Sequence, residues 1–454
     1  MKYLVSFFLL LVQFGFAQST VDSRQQAIVF KSVNVVPMDS ERILENQDVV
    51  VKEGKIIAMG ASGKVKLDKS SFVVQAKGKY LMPGLAEMHA HIPPNDNVES
   101  QKEVLKLFVV NGVTTIRGML GHPSHLDLRE KVRRGEVLGP HIYTSGPSFN
   151  GLSVKTPEAG DKMVRDQKTM GYDFLKLHPG LTLANFNAII KAANEVGITY
   201  GGHVSSAVGV WRAIEANYST IDHLDGFIEG MVPGIEAMTD QEIGFFGLFV
   251  AKRADLSQLP RLIEGLREHR VWVVPTQALA ERWIAADKTP EQLRSAAEMK
   301  YMDSKTLDSW TENKKRQMAV PGYQPDEVAA YIALRRKLIK ACKEGGVGLL
   351  LGSDAPQVFN VPGFSIHHEL RYLVDCGLTP FEALKTGTVN VAAFYGQSGT
   401  SGTISSGKVS DLVLINANPL KDITATTTIQ GVMVGDQWLA KEYLDAQLKS
   451  LEKK

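Results

Sequence analysis

The chain has 454 residues, of which 44% are hydrophobic and 22% charged, proportions that are typical of a soluble globular protein and not of a disordered one. Its 51 basic and 49 acidic residues leave a net charge of +2, which is too balanced to favour a nucleic-acid partner or an anionic membrane surface. A small-molecule ligand is therefore favoured. Nothing in the sequence decides between a monomer and a homo-oligomer.

The first 17 residues have the pattern of a secretory signal peptide. Lys2 precedes an apolar run from Tyr3 to about Val12, and Gly15 and Ala17 are the small residues of a cleavage site after position 17. The apolar run is shorter than the roughly 20 residues that a membrane-spanning helix needs. We therefore expect export to the periplasm or the extracellular space, without a membrane span.

Cys342 and Cys376 are the only cysteines, so at most one disulfide can form in a chain that we expect to be exported. Both lie near the ends of helical patterns, and we expect buried thiols. Because neither cysteine is close in sequence to a histidine cluster, a thiolate zinc site or a cysteine nucleophile has little support.

Segments typical of β-strands occupy both ends of the chain, at residues 26–80 and 403–445. Residues 81–402 instead alternate short apolar strands with amphipathic helices, the pattern of βα units around a parallel sheet. Eight strands are predicted there, favouring a closed (β/α)8 TIM barrel. A doubly wound open sheet is the alternative, but no glycine-rich dinucleotide loop follows the first strand. The predicted strands are LAEMHAHI, GVTTIRGM, HIYTSG, YDFLKLH, GITYGGHV, STIDHLDG, VWVVPTQA and VGLLLGSDAP.

Two longer insertions precede the last two predicted strands. One begins FIEGMVPG before strand seven, and the other, EQLRSAAEMKYMDSKTLDSWTENKKRQ, precedes strand eight. Insertions of this length in a compact domain usually carry function, so we expect helical lids over the strand ends.

Residue types that suit a metal site lie at the ends of five predicted strands. In a barrel of this kind the carboxyl ends of all the strands surround one cavity. Each residue taken singly has an ordinary structural explanation, as a hydrogen-bonded histidine, a lysine that reaches solvent or a capping aspartate. Taken together they favour a metal site. The residues are His89, His91, Lys176, His203, His223 and Asp354.

Imidazoles and carboxylates bind zinc and similar divalent ions, and four histidines with one aspartate exceed the needs of one tetrahedral ion. A second ion would need a bridging group. Burial and nearby cations depress the pKa of a lysine. A neutral lysine such as Lys176 can take up carbon dioxide to form a carbamate, whose two oxygens could bridge two ions.

Several stretches resemble the amidohydrolase superfamily, in particular its imidazolonepropionase-like and prolidase-like (Xaa-Pro dipeptidase) branch with a carboxylated lysine. The resemblance covers nearly all of the chain after the signal peptide. It implies a distorted barrel at residues 81–402 with a composite β-sandwich built from residues 26–80 and 403–445. The stretches include LMPGLAEMHAHI, YDFLKLH, VGITYGGHV, STIDHLDG, GLLLGSDAP and GTISSGKVSDLVLINANPLKDI.

The resemblance implies a role for each candidate ligand. One divalent ion, expected to be zinc, would be bound by His89, His91 and Asp354, and a second ion by His203 and His223, with the carboxylated lysine bridging. Asp354 would also be the catalytic residue that receives the proton of the attacking water and returns it to the leaving amine.

The chain departs from the family pattern at two positions where substrate would be contacted. Relatives often have Arg-Asp after strand two, where this chain has Arg117-Gly118, and many have tyrosine where His178 stands. We predict that His178 and Arg117 bind substrate. The remaining histidines near the strands are expected to be solvated, namely His122, His125, His367 and His368.

The leading hypothesis is an exported binuclear metallohydrolase that cleaves the amide bond of a dipeptide or an N-acyl amino acid. A mononuclear deaminase or cyclic-amide hydrolase, a lactone or ester hydrolase and a non-catalytic binding protein on the same fold remain alternatives. Deaminases of this type usually have a Glu shortly after the strand-five histidine, and HVSSAVG has none. No G-x-S-x-G occurs, which disfavours a serine hydrolase.

Overall fold

A computed structural model describes residues 20–453 of the chain. The predicted signal peptide, residues 1–17, lies outside the described residues. No helix within residues 20–453 combines the length and the apolar character that crossing a bilayer requires.

The described residues contain short strands and helices in alternation. The strands are β1 Thr20–Asp22, β2 Ile28–Val35, β3 Leu44–Lys52, β4 Lys55–Ala61, β5 Phe72–Gln75, β6 Tyr80–Pro83, β7 Leu85–Ala90, β8 Val113–Gly118, β9 His141–Thr144, β10 Phe174–Leu177, β11 Thr199–Gly202, β12 Thr220–Asp222, β13 Trp272–Val274, β14 Leu412–Ile415, β15 Ile429–Val434 and β16 Gln437–Ala440. The α-helices are α1 Val98–Val110, α2 Ser124–Arg133, α3 Pro157–Met170, α4 Leu183–Val196, α5 Gly209–Glu215, α6 Asp240–Ile243, α7 Leu259–Glu268, α8 Gln277–Leu279, α9 Pro290–Arg294, α10 Ser304–Met318, α11 Pro325–Glu344, α12 Phe364–Asp375, α13 Pro380–Thr386, α14 Val389–Phe394 and α15 Lys441–Leu451.

Strands from both chain ends form one mixed sheet of nine strands, in the order β1-β16-β15-β14-β6-β2-β3-β4 with β5 paired to β2. Three strands separate β2 from β16 in this order, yet the rings of Phe30 and Trp438 lie 5.0 Å apart. Neighbouring strands are spaced about 4.8 Å apart, so a flat sheet would keep these rings much farther from one another. The sheet therefore curls over and encloses a core of its own.

Between these ends, two parallel sheets run β7-β8-β9 and β10-β11-β12-β13. An isolated parallel bridge between Ser145 and Phe174 links the two sheets. All residues of β7 and β10 are buried, as in parallel sheets covered by helices. This arrangement is a TIM-barrel-like α/β domain.

The predicted eighth strand, VGLLLGSDAP, is an extended segment with isolated bridges instead of a regular strand. Leu349 bridges Val273, and Ala355 bridges Ala90, so the segment lies between β13 and β7. The ladder is interrupted because the Ser353 N–H donates to the Glu87 side chain, at 2.8 Å, instead of to a strand carbonyl. The interruption falls directly before Asp354.

Helices α3 and α4 show how the sequence frames a strand. The side chains of Thr156 and Thr182 each accept a hydrogen bond from the first turn of the helix that follows. Gly171 and Gly197 end the same helices in the left-handed conformation, which glycine adopts without strain. Strand β10 therefore begins and ends at defined positions between the two helices.

The insertion before β13 is only partly helical. Short 3-10 turns occupy much of residues 229–258, with α6 and α7 in and after them. The insertion before the eighth segment forms α9, α10 and α11, and a π-helix, Ala280–Ile284, precedes it.

Candidate metal centre

His89 and His91 lie at the end of β7 and meet Asp354 from the interrupted segment. Successive strand residues face opposite sides, so the two histidines project the same way. The Nε2 atom of His91 lies 2.6 Å from Asp354 Oδ1, and that of His89 lies 3.6 Å from the same oxygen. Within the described part of the chain these three form a compact candidate metal-binding group, whose possible ligand atoms all lie within 4.8 Å of one another.

Glu87 ties this group together and was not predicted from the sequence. Its carboxyl group is fully buried and accepts hydrogen bonds from the backbone N–H of His89, at 3.1 Å, and of Ser353, at 2.8 Å. The Ser353 hydroxyl donates to it as well. Burial raises the pKa of Glu87 to about 8, and the hydrogen bonds from Ser353 oppose that rise. One side chain therefore fixes β7 against the segment that carries Asp354.

Lys176 lies in β10 with its side chain fully buried. Its Nζ atom is 3.4 Å from His89 Nε2 and 3.6 Å from Asp222 Oδ2. Burial lowers the pKa of Lys176, although the charges of Asp222 and Asp354 act in the opposite direction. Gly202 makes room for this side chain, because a Cβ there would lie 2.7 Å from Lys176 Cδ.

His203 and His223 follow β11 and β12, and their ring centroids are 4.5 Å apart. The Nδ1 atom of His203 is 2.9 Å from Asp225 Oδ2, and that of His223 is 2.7 Å from Thr276 Oγ1. Each imidazole thus uses one nitrogen for a protein partner and keeps Nε2 for a ligand, the arrangement that hydrogen-bond partners impose on metal-binding histidines. Asp225 and Thr276 are therefore positioning residues.

The two sets of ligands are neighbours. The ring centroids of His89 and His223 lie 4.5 Å apart, and Asp222 Oδ2 is 2.9 Å from His89 Nδ1. Burial dominates the pKa of both histidines and lowers it, so the rings are neutral, as metal binding requires.

Three residues at these strand ends have a left-handed backbone, with φ of 64° at His223, 64° at Asp354 and 45° at Thr276. Such conformations cost a non-glycine residue about 1–3 kcal/mol and persist where the surroundings hold them. Arg335 supplies part of that support, donating to the carbonyls of His223, at 2.7 Å, and Pro275, at 3.0 Å. Three residues that carry or direct the candidate ligands are thus held in a strained backbone conformation.

The structure brings His178 to this site. Its ring is stacked 5.0 Å from that of His203, and burial lowers its pKa, so the imidazole is neutral near pH 7. The ring lies at the carboxyl end of β10, beside the predicted ligands.

Arg117 lies near the carboxyl end of β8, but its guanidinium reaches the amino ends of β10 and β12. Its guanidinium is 4.3 Å from the ring centre of Phe174 and donates to Thr220 Oγ1 at 2.9 Å, and these are the first residues of β10 and β12. The residue is 1% exposed. This position does not favour contact with a substrate at the carboxyl ends, and substrate binding by Arg117 stays a prediction.

Two of the four histidines expected to be solvated are buried structural residues instead. The side chain of His125 packs in α2 and lies 3.0 Å from the Pro93 carbonyl. His367 spans Thr426 Oγ1, at 2.9 Å, and the Asn111 carbonyl, at 3.1 Å. Each ring fills space between elements that are distant in sequence, which local sequence does not reveal. The two cysteines are free and buried, as predicted.

Sequence reasoning missed Asp222 and Asp225, although both stand in the stretch STIDHLDG around His223. Aspartates on either side of a predicted ligand are a usable signal for positioning carboxylates. Both carboxylate oxygens of Asp222 are buried, and neither has a well-aligned hydrogen bond within the described residues. The nearest groups are Nδ1 of His89, 2.9 Å from Oδ2, and Nζ of Lys176, 3.6 Å from the same oxygen. Unsatisfied buried oxygens of this kind fit a site that holds a cation. The imidazole and carboxylate donors suit zinc and similar divalent ions.

Comparison with known proteins agrees with this geometry. The sequence profile of the Amidohydrolase family matches residues 80–439. An imidazolonepropionase of Alkaliphilus metalliredigens (strain QYMF) is 24% identical over 406 residues, which cover 84% of this chain and 86% of that protein. An ochratoxinase of Aspergillus niger is 21% identical over 449 residues, covering 89% of this chain and 84% of that protein.

A solved structure of a Xaa-Pro dipeptidase with methionine bound in its active site superposes with a TM-score of 0.66 at 17% identity, covering 91% of this chain and all of that one. This likeness concerns the fold and supports the TIM-barrel-like α/β domain. The predicted superfamily and branch are confirmed by these matches together.

Proposed function

The chain belongs to the Amidohydrolase family and is a hydrolase of amide carbon–nitrogen bonds, and on that premise we propose an exported binuclear enzyme that cleaves a dipeptide or an N-acyl amino acid. The observation that carries the proposal is the convergence of imidazoles, carboxylates and one buried lysine at the carboxyl ends of the parallel strands. We further propose that these strands close into a distorted eight-stranded barrel.

His89, His91 and Asp354 would hold one ion, and His203 and His223 would hold the second. Divalent ions, when bound, polarise a carbonyl oxygen and bring the pKa of water toward neutrality. The protein's own contribution is to hold the imidazoles of His203 and His223 correctly turned, through the hydrogen bonds to Asp225 and Thr276, and to fix the backbone of His89 through the Glu87 carboxyl.

We propose that Lys176 is carboxylated and joins the two sets of ligands. Its burial supports this, because a lowered pKa favours the neutral amine that adds to carbon dioxide, releasing one proton as the carbamate forms. A carbamate oxygen is a good ligand for the divalent ions that imidazole and carboxylate bind.

Asp354 is the residue that we propose to carry the proton. Its Oδ1 atom lies 2.6 Å from Nε2 of His91 and 3.6 Å from Nε2 of His89, whereas Oδ2 lies 3.8 Å from Nδ1 of His223. Oδ2 is therefore the oxygen that is free to accept the proton of the attacking water and to return it to the leaving amine. The products would be a carboxylate and an amine.

The names of the relatives support an amide substrate, and the dipeptidase among them supports one that contains an amino acid. A Xaa-Pro dipeptidase and an imidazolonepropionase both resemble this chain over most of its length. His178, which stands beside His203, is the residue that we propose to contact the substrate.

Metal content per chain, measured on protein purified without chelators, tests the site. We expect two divalent ions per chain and one bound carbon dioxide as a carbamate on Lys176, seen in an experimental structure or in the native mass of the intact metal-loaded protein. One ion with an unmodified amine would overturn the binuclear proposal. Lys314 is an internal control in which we expect a free amine, because it is also buried but lies on α10 and donates to carbonyl groups of Arg282 and Ala285.

Substrate identity is tested by screening dipeptides, N-acyl amino acids and lactones with the metal-loaded enzyme. Turnover of dipeptides or N-acyl amino acids supports the proposal, and turnover of lactones alone contradicts it. Export is tested by sequencing the amino terminus of the protein from culture fractions, where we expect a mature chain that begins after Ala17.

A further inference from the structure

A pair of phenylalanines flanked by glycines lies in the insertion that precedes β13. The stretch Gly244-Phe245-Phe246-Gly247 forms a tight turn in which Phe246 has φ of 54°, and the glycines have φ of 73° and 75°. A bulky residue with positive φ is a genuine outlier. The turn therefore holds the Phe246 ring in a defined place at a cost in backbone strain.

The Phe246 ring lies over the second set of ligands. Its centroid is 5.3 Å from that of His223 and 6.2 Å from that of His203, with interplanar angles of 23° and 8°. Because Asp225 and Thr276 occupy the Nδ1 atoms of these imidazoles, their Nε2 atoms remain for ligands. A molecule bound there has the Phe246 ring as an apolar neighbour.

Phe246 continues into a row of aromatic side chains. The Phe245 ring lies 3.9 Å from it, and Trp283, in the π-helix after β13, lies 4.8 Å from Phe245. All three side chains are only partly buried. A half-exposed aromatic row that begins at the ligand histidines is a surface suited to an apolar substituent of the substrate.

The flanking glycines are needed for this placement. A Cβ at Gly244 would lie 2.4 Å from the Phe249 ring, and one at Gly247 would lie 3.1 Å from Ile228 Cβ and from the Glu229 carboxyl carbon. Both also have the backbone conformation that only glycine adopts readily. The sequence G-F-F-G thus specifies where the Phe246 ring stands.

We propose that Phe246 is a specificity-determining residue, whose ring receives an aromatic or large aliphatic side chain of the amino-acid or acyl part of the substrate. This inference rests on the proposed amide hydrolysis and adds the substrate class to it. An aromatic pair contributes about 0.5–1.5 kcal/mol beyond its buried area, which corresponds to a preference of up to about tenfold.

The test compares matched substrates, glycyl-phenylalanine with glycyl-alanine and N-acetyl-phenylalanine with N-acetyl-alanine. In Phe246→Ala we expect KM for the phenylalanine member of a pair to rise about tenfold, with little change for the alanine member. Phe246→Leu should raise KM for the phenylalanine member by a smaller factor. The control Phe249→Leu changes a phenylalanine of the same insertion that packs near Gly244 and Gly322, and it should keep the wild-type preference.

Equal loss on both members of each pair in Phe246→Ala, or an unchanged preference, would overturn the proposal. A second readout does not depend on turnover. In metal-free protein, diethyl pyrocarbonate should modify His203 faster in Phe246→Ala than in the wild type or Phe249→Leu, as followed by mass spectrometry of the peptides. Equal rates in the three proteins would show that the ring does not cover the histidines.

The two readouts separate the failure of each proposal. A wild-type enzyme that hydrolyses none of the amides contradicts the proposed function, while faster modification of His203 in Phe246→Ala still supports the placement of the ring. An active wild type whose preference does not respond to Phe246 contradicts the specificity role alone.

Discussion

The two ends of the parallel strands have opposite characters. The carboxyl ends carry four histidines, a buried lysine and several aspartates, and neither side-chain oxygen of one of these, Asp222, has a well-aligned hydrogen bond within the described residues. At the amino ends, charged and aromatic side chains contact one another, although Nη2 of Arg117 and the hydroxyl of Tyr395 have no hydrogen bond to the described residues. Arg117 lies over Phe174 and against Thr220, His141 pairs with Asp411 at 3.1 Å, and the rings of Tyr143 and Tyr395 stack 3.9 Å apart.

Side chains at the two ends of the same strands are therefore expected to have different roles. In TIM barrels, polar residues at the carboxyl ends of strands serve catalysis, and those at the amino ends serve stability, and we expect the same division in this TIM-barrel-like domain. Charged groups test this comparison best. Changing one at the carboxyl ends should alter catalysis or metal binding, whereas changing one at the amino ends should alter stability.

The largest effect is expected for Asp354→Asn. The amide keeps an oxygen that can ligate an ion but cannot accept the proton, so metal content should persist while kcat falls by about 10²–10⁴-fold. Metal analysis and steady-state kinetics check both parts. The control Asp411→Asn makes the same change at the amino ends and should leave kcat near the wild-type value. A near-normal kcat in Asp354→Asn would remove this residue as the proton carrier.

Asp225→Asn should have the next largest effect. The amide that this change introduces cannot hold the His203 imidazole as the carboxylate does, so we expect the affinity for divalent metal to fall by about 10–100-fold. Calorimetric titration of metal-free protein measures this change. Asp173→Asn, which alters an exposed partner of Arg129 at the start of β10, provides the control. Unchanged metal affinity in Asp225→Asn would mean that His203 needs no positioning carboxylate.

Arg117→Gln should lower the free energy of unfolding without changing substrate binding. The change removes a guanidinium that interacts with the rings of Phe174 and Phe394, and such contacts are worth about 0.5–2 kcal/mol each. Denaturant unfolding and KM are the two measurements. A raised KM with unaltered stability would instead support Arg117 as a substrate-binding residue. It would contradict the view that groups at the amino ends of the strands serve stability.

The smallest effect concerns His141. The charge of Asp411 raises the pKa of His141 to about 9. A raised folded-state pKa stabilises the protein fully below the unfolded value of about 6.5, and the contribution is lost as the pH rises through about 9. His141→Gln should therefore lower Tm at pH 6 and leave it unchanged at pH 10. Because the imidazole is 48% exposed, solvent screens the pair and we expect less than about 1 kcal/mol. A difference in Tm that grows with pH would contradict this assignment.

The sequence was informative where ligand-type residues end short apolar strands. His89, His91, Lys176, His203, His223 and Asp354 were all singled out from strand ends, and the structure gathers them at one end of the parallel sheets. It was uninformative where a residue acts through contacts that are distant along the chain. Glu87 meets Ser353 across 266 positions, and neither residue belongs to a pattern that local sequence reveals.

Arg117 shows a second limit. Its place at the end of a predicted strand suggested a substrate contact, yet its long side chain turns back toward Thr220 and Phe174. A strand position determines which face the Cβ occupies, but not which end of the strand a long side chain reaches.

What the sequence determined by itself is the set of metal-binding residue types and their order along the strands, because period-two alternation and strand-end position are local properties. Only the tertiary structure decided which nitrogen of His203 and of His223 is left for a ligand, because that depends on Asp225 and Thr276. It alone placed Phe246 over the same two histidines. Side-chain orientation at the site is set by hydrogen bonds and packing between segments, and those contacts exist only once the chain has folded.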